Sequence, residues 1–374
     1  MVVGRDEVSI DAKDVRLNML VVIRVDSSTT VGSGHLMRCL TFAEKLKSKG
    51  ANIHFVSRDL LGNLSHLVLE NKYILHLLAR KQLDESLIGY SKWLTVSQEC
   101  DALETISIIK SICNTDDLHV DQLIVDSYAI DRTWESMLRP YVKKIFVLDD
   151  LANRKHDCDY LLDQDLYDDM ENRYDGLVPD SCCKMLGPRY MLLREEFYRV
   201  RETMVSRDGV LKNILIFYGG IDATNETTKA LMAIMNIRDE LPDVTVDVIV
   251  GRKNPHKEKI KSLCLINDNR DWIAFHEQVD NIADYMCKAD LSLGAGGTTM
   301  WERCFLELPT IVTAVADNQI EVCKVADKYK IIKYLGKFDN VKEIDIINVL
   351  YQCRDILKEM QKSIKRNFID KYNF

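Results

Sequence analysis

Apolar and polar positions follow one another along the chain in a rhythm that runs through the sequence twice. From Met19 the run MLVVIRVD (19–26) is β-branched and almost continuous, the pattern of a strand buried on both faces. After SSTTVGSG (27–34), Leu36, Leu40, Ala43 and Leu46 recur at helical spacing, and Gly50 follows as a C-terminal stop. ANIHFVSR (51–58) predicts the next strand, which completes a βαβ crossover of the kind that builds parallel sheets. Further strands are predicted at 122–128 and 144–150, with a helix around 132–140 between them. Residues 151–210 read as irregular and polar, apart from a turn and helix in LGPRYMLLREEF (186–197). A second series then begins. Strands are predicted at 213–220, 244–251, 290–297 and 309–315, and helices at 224–236, 279–289, 298–308 and 317–329, before a helical tail.

This alternation predicts an α/β protein of two Rossmann-like, doubly wound domains facing a cleft. The expected boundaries are an N-terminal extension 1–18, a first domain 19–205, a second domain 206–340 and a helical tail 341–374. A chain of 374 residues accommodates two domains at roughly 100–200 residues each. The net charge of −8 comes without a clustered basic run, which argues against nucleic acid as a partner. No apolar run approaches the ~20 residues that span a bilayer, so no membrane span is expected. The eleven cysteines are scattered with no C-x-x-C pair, and residues 1–18 lack an apolar signal core. Free thiols in a reducing cytoplasm are the simplest account.

The chemistry concentrates in loops that follow strands. In the first, Gly32 and Gly34 allow a tight turn at a helix N-terminus whose free N–H groups favour anions. A dinucleotide fingerprint would need glycine at Met37, and no Walker lysine follows, so neither cofactor class fits. His35 opens that helix. The dipole there favours a neutral ring, as a general base requires, whereas an anionic ligand would push the other way. Position alone equally fits a helix-start histidine without a role.

In the second loop, Gly296, Gly297 and the amides of Thr298 and Thr299 can form an anion nest, with Glu302 one turn inside to accept from ribose hydroxyls. The alternative is a tight turn followed by a surface acid. The turn at Gly219-Gly220 with Asp222 is of the same type. Asp317-Asn318-Gln319 either caps a helix or reads sugar hydroxyl and acetamido groups, and Tyr128 either bonds a substrate or packs. No HExxH or G-x-S-x-G motif occurs, and the eight histidines show no ligand spacing. Asp149-Asp150 reads as strand-end acids pairing with Arg154 and Lys155 more readily than as a metal pair. No metal and no cofactor are expected.

Taken together, several motifs resemble one family. They are R-x-D-S-S…G-x-G-H-x-x-R-C (24–39), D-x-Y (126–128), DDLANRKHDCDYLLDQ (149–164), LGPRYMLLREEF (186–197), FYGGIDATN (217–225), GAGGTTMWERCFLELP (294–309) and ADNQ (316–319). The family is the UDP-sugar hydrolase of pseudaminic acid biosynthesis, and the resemblance runs from about 20 to 335 with the motifs in family order. It implies a GT-B-like fold, similar to that of the peptidoglycan N-acetylglucosaminyltransferase. It also implies release of UDP from UDP-2,4-diacetamido-2,4,6-trideoxy-β-L-altropyranose in the cytoplasm, with His35 as catalytic base. Carried over residue by residue, Tyr128 and Asn318 fall near the sugar, and Arg24, Asp26, Gly34 and Gln319 are expected to bind substrate. Gly220, Gly296, Gly297, Thr298, Thr299 and Glu302 are expected to bind UDP. Two readings stay open beside it: a GT-B glycosyltransferase using a UDP-sugar donor, and a non-catalytic nucleotide-sugar-binding protein. The oligomeric state is left open, a monomer being compatible with the sequence.

Overall fold

The computed structural model describes residues 19–113, 119–266, 269 and 271–374, apart from the side chains of 354 and 355; the expected extension 1–18 lies outside them. The chain forms two compact units, described separately: residues 19–165 with 169–192, and residues 166–168 with 193–374.

The first unit carries strands β1 (Leu20–Val25), β2 (Asn52–Arg58), β3 (Ile74–Leu78), β4 (Val120–Asp126), β5 (Val142–Leu148), β6 (Tyr160–Asp163) and β7 (Cys183–Leu186). They form one parallel sheet in the order β3-β2-β1-β4-β5-β6-β7. Its helices are α1 (Gly34–Ser48), α2 (His66–Glu70), α3 (Gln98–Ile112) and α4 (Arg132–Leu138). The side-chain alternation of β1 explains its unbroken apolar run. Val21, Ile23 and Val25 pack with Leu36, Leu40, Ala43 and Leu46 of α1. Leu20 and Val22 point the other way, into a cluster with Ala102, Ile106 and Ile109 of α3 and Trp134 of α4. Both faces are thereby dry.

The second unit repeats the plan. Strands β8 (Asn213–Phe217), β9 (Thr245–Val250), β10 (Ile273–Glu277), β11 (Leu291–Ala295), β12 (Thr310–Ala314) and β13 (Lys333–Lys337) pair in parallel in the order β10-β9-β8-β11-β12-β13. Its helices are α5 (Glu195–Thr203), α6 (Glu226–Met235), α7 (Lys257–Cys264), α8 (Ile282–Lys288), α9 (Thr298–Phe305), α10 (Asn318–Lys328) and α11 (Glu343–Ile364). Helix α5, which the expected boundary at 205/206 leaves in the first domain, packs within the second unit: the guanidinium of its Arg201 lies over the Phe305 ring. The expected separate tail also belongs to this unit. Ile346, Leu350, Cys353 and Leu357 of α11 form one apolar stripe in the core shared with Leu231 and Ile234 of α6. Among the described residues no helix is long and apolar enough to cross a membrane.

The structure differs from the sequence reading, or adds to it, in two further ways. Residues 151–210 are not wholly irregular, because β6 and β7 extend the first sheet with four residues each. Strands that short carry too few positions for an alternation to register. The second difference is the pairing of His54 with His76, whose rings stack across β2 and β3 with Nδ1 and Nε2 2.9 Å apart. Sequence spacing gave no hint of it.

Candidate active site

In each sheet the winding reverses between two neighbouring strands, β1 and β4 in one, β8 and β11 in the other. Ligand crevices of open parallel sheets lie at the carboxyl ends of such strands. Most of the expected site residues fall at or near these two places, in two groups.

The first group is built from charged side chains. Gly32, in the left-handed region at φ +83°, closes the turn after β1, its N–H donating to the Ser28 carbonyl at 2.9 Å. That turn delivers His35 as the second residue of α1, against Asp126 at the end of β4. His35 Nδ1 lies 2.6 Å from Asp126 Oδ1. Arg38, one helical turn further on, donates from Nε to Asp126 Oδ2 at 2.6 Å and from Nη2 to Oδ1 at 2.7 Å. Its Nη1 donates to Asp150 Oδ2 at 2.9 Å, and the other Asp150 oxygen accepts the Tyr128 hydroxyl. Tyr128 in turn sets its ring edge-to-face on His35, 4.6 Å between centroids. The chain His35–Asp126–Arg38–Asp150–Tyr128 therefore closes on itself.

Electrostatics fix the protons. Burial alone would raise the Asp126 carboxyl, but Arg38 and His35 hold it well below the usual carboxylate range. Burial opposes the charge on Arg38 too, and Asp126 with Asp150 outweighs it. The Tyr128 hydroxyl is pushed well up, first by burial and then by Asp150, so it stays a donor. An ionised carboxylate only accepts, so the proton of the His35–Asp126 bond sits on His35 Nδ1.

The loop carrying Tyr128 is braced by the segment that follows β5. Arg154 pairs with Asp149 at 2.7 Å and donates to the carbonyls of Ile130 (2.7 Å) and Ser127 (3.0 Å). Pairing of Asp149 with Arg154 follows the sequence expectation; Asp150 instead pairs with Arg38. Among the described residues no group of three or more His, Cys, Asp or Glu is placed to hold a metal ion.

Arg24 and Asp26 lie elsewhere than expected. Arg24 is fully buried near the end of a strand covered on both faces, so its charge demands internal partners. It bonds Asp101 of α3 through Nη2 (2.8 Å) and Nε (3.1 Å) and pairs with Asp26 at 2.7 Å. Asp26 also accepts from the Arg58 amide, and Asp101 from Arg58 and the Trp134 indole. These groups tie β1, β2, α3 and α4 together inside the unit. Gly34 differs again. Its conformation is helical, and a Cβ there would meet nothing within 4 Å, so the fold itself does not require glycine.

The second group is built from main chain. Gly297 is the N-cap of α9, followed by Thr298 and Thr299, and all three are half-buried. Gly294, at the end of β11, has no room for a side chain: a Cβ would come 2.0 Å from Arg303 Nη1 and 2.6 Å from the Phe217 carbonyl. Arg303, fully buried, donates from Nη2 to the Ala295 carbonyl and holds the turn from behind. Gln319 lies beside the glycines. Its Oε1 accepts from the Val315 amide at 2.9 Å, and its Nε2 is the nearest atom to a Cβ built on Gly297, at 3.5 Å. Asn318 opens α10, half-buried; Asp317 before it pairs with Lys337 instead of capping the helix. Gly220 sits after β8, its carbonyl so close to Gly251 that a Cβ there would approach to 2.1 Å. Asp222 of the same turn accepts from the amides of Glu226 and Thr227, capping α6. Glu302 is buried, with Oε1 accepting from Arg194 Nη2 at 3.1 Å.

Sequence reasoning missed the partners: Asp126 as orienter of His35, Arg38, and Arg194 beside Glu302. Arg38 had a signal, since it stands three residues after His35 on the same helix face.

Fold and comparisons agree on the class: this is an α/β chain of two parallel-sheet units with a GT-B-like fold. Its structure is similar to that of Acinetobacter baumannii MurG, with a TM-score of 0.60 at 12% identity over 93% of this chain and 95% of that one. In sequence it is 28% identical over 300 residues to an uncharacterized protein of Methanocaldococcus jannaschii, covering 79% of this chain and 55% of the relative. It thus spans little more than half of that relative. It is also 26% identical over 303 residues to the UDP-2,4-diacetamido-2,4,6-trideoxy-β-L-altropyranose hydrolase of Campylobacter jejuni, covering 80% of this chain and 93% of that enzyme. No family model matches the sequence.

Proposed function

We propose that the chain is an enzyme acting on a nucleotide sugar, and that it hydrolyses a UDP-linked diacetamido-trideoxy hexose at the anomeric C–O bond. The products are UDP and free 2,4-diacetamido-2,4,6-trideoxy-L-altrose. The observation that carries this reading is the His35–Asp126 pair at the carboxyl ends of β1 and β4, with Nδ1 2.6 Å from Oδ1. The similarity to the Campylobacter hydrolase supports the substrate.

UDP is a good leaving group, so the reaction asks for little general-acid help. His35 Nε2 takes a proton from water as the water oxygen attacks the anomeric carbon, and the C–O electron pair leaves with the diphosphate. General-base help of this kind is typically worth about 10²–10⁴-fold. The N–H groups of Gly297, Thr298 and Thr299 receive the charge growing on the diphosphate, and such preorganised donors are often the largest catalytic contribution. No step calls on a metal. Gly34 and Gly297 support close approach of ligand, because the fold itself leaves room for a side chain at both.

The GT-B-like fold favours a second reading, transfer of the sugar to an acceptor hydroxyl in place of water. The experiment is NMR of the purified protein with UDP-2,4-diacetamido-2,4,6-trideoxy-β-L-altropyranose, without acceptor or added metal. Loss of the anomeric phosphate signal with appearance of UDP and free sugar is expected. UDP binding without turnover would favour the transferase, or a silent binder.

A further inference from the structure

The chemistry above makes no use of an aromatic wall that stands against its base. Trp93 and Tyr90 lie on a 3₁₀ turn, Gly89–Leu94, within the long connection between β3 and α3. Trp93 sits 5.6 Å from the His35 ring, edge-on at 76°, and stacks on Tyr128 at 5.3 Å and 27°. Tyr90 closes the corner, edge-on to Trp93 at 4.9 Å and to Tyr128 at 5.1 Å. The three aromatic rings thus each touch the other two, and two of them, Trp93 and Tyr128, meet the imidazole.

Holding the turn in place does not require them. Leu94, fully buried, anchors it in the core, and Thr95 ends it at φ +63°, a left-handed conformation that a β-branched residue rarely adopts. The Thr95 carbonyl also accepts from the Asp84 amide at 3.0 Å. Tyr90 and Trp93 stay half-buried, and Ile88 just before them is 79% exposed. Long connections held this firmly in compact domains are commonly functional. Apolar surface left open beside a proton acceptor marks a place where an apolar part of a ligand rests.

We propose that Trp93, backed by Tyr90, is a specificity-determining residue that contacts the methyl groups of the sugar. The inference rests on the hydrolase reading, which brings the anomeric carbon to a water held by His35. A 2,4-diacetamido-2,4,6-trideoxy sugar carries methyls at C6 and on both acetamido groups, where an ordinary hexose carries hydroxyls. Aromatic rings favour such methyls by apolar contact. A hydroxyl pressed on the same wall gives up its bonds to water without replacement. The wall therefore selects the 6-deoxy substrate.

The test compares kcat and KM for UDP-2,4-diacetamido-2,4,6-trideoxy-β-L-altropyranose and its 6-hydroxy counterpart, in the wild type, Trp93→Ala, Trp93→Phe and Tyr90→Ala. The wild type is expected to prefer the 6-deoxy substrate. Trp93→Ala should lower its kcat/KM by about 10–100-fold, chiefly through KM, with a much smaller loss on the 6-hydroxy sugar, so that the preference collapses. Trp93→Phe should keep most of the preference, Tyr90→Ala should lose part of it, and the pH profile of kcat should be unmoved. These two variants carry the test if Trp93→Ala does not fold. Equal losses on both substrates, or a displaced pH profile, would make Trp93 a mere support for His35 and overturn the proposal. A wild type that turns over both sugars equally well, or a preference that Trp93→Ala leaves unchanged, would overturn it while leaving the hydrolase reading intact. A wild type inert on both sugars would remove that reading and this one with it.

Discussion

Each of the two units carries a candidate site at the same point of the same sheet topology, yet the two are built from different materials. In the first, His35, Arg38, Asp126 and Asp150 are brought from distant parts of the chain into one closed set of bonds between 2.6 and 2.9 Å, completed by Tyr128. In the second, the working parts are main-chain amides of consecutive residues, 296–299, with Arg303 and Gln319 holding the turn. Under the proposed function the contrast follows from two tasks. Accepting a proton needs one nitrogen fixed in tautomer and direction, which only paired charges enforce in a dry interior. Receiving a diphosphate needs several N–H groups open to the ligand, which a glycine turn at a helix start supplies without side chains.

The contrast breaks most sharply at His35. His35→Ala is expected to cut turnover at least about 100-fold while UDP binding, measured by calorimetry, stays almost unchanged. An unaltered rate would take His35 out of the chemistry. Asp126→Asn removes the charge that pairs with buried Arg38, and breaking a buried pair typically costs about 3–5 kcal/mol, here read from the denaturant midpoint. The same variant should change the acid limb of stability. Asp126 titrates lower in the folded protein than its unfolded value of about 3.9. Its contribution is therefore complete above roughly pH 4 and fades as pH falls toward the folded value, so the gap between wild type and Asp126→Asn should narrow in acid.

In the second unit two alanines separate fold from ligand. Gly294→Ala forces a Cβ to within 2.6 Å of a backbone oxygen and should destabilise by about 1–3 kcal/mol, as overpacking does. Gly297→Ala meets only Gln319 Nε2 at 3.5 Å, so melting should move little while UDP affinity falls about tenfold, roughly 1.4 kcal/mol. Equal effects of the two on melting would contradict the division between frame and receiving amides.

This difference in materials also decides what a reader of the sequence could see. Strand β1, helix α1, the glycine turns and the doubly wound plan were legible, because each rests on local spacing or on a residue type with one main use. The partners of the charged groups were not. His35 and Asp126 stand far apart in sequence, and nothing in either neighbourhood announces the other. Arg24 and Asp26 sit in a motif that suggests substrate contact, yet they pair with each other, and the other partner of Arg24 is Asp101. It lies on α3, a helix whose signature, Ser97 as cap and Ala102, Ile106 and Ile109 on one face, was there to be read.

The central claim is that His35 directs water to the anomeric carbon. It is tested most directly by running the reaction in ¹⁸O-labelled water and weighing the products. The account predicts the label in the anomeric hydroxyl of the free sugar, with UDP unlabelled. Label in UDP would mean attack at phosphorus and would contradict it.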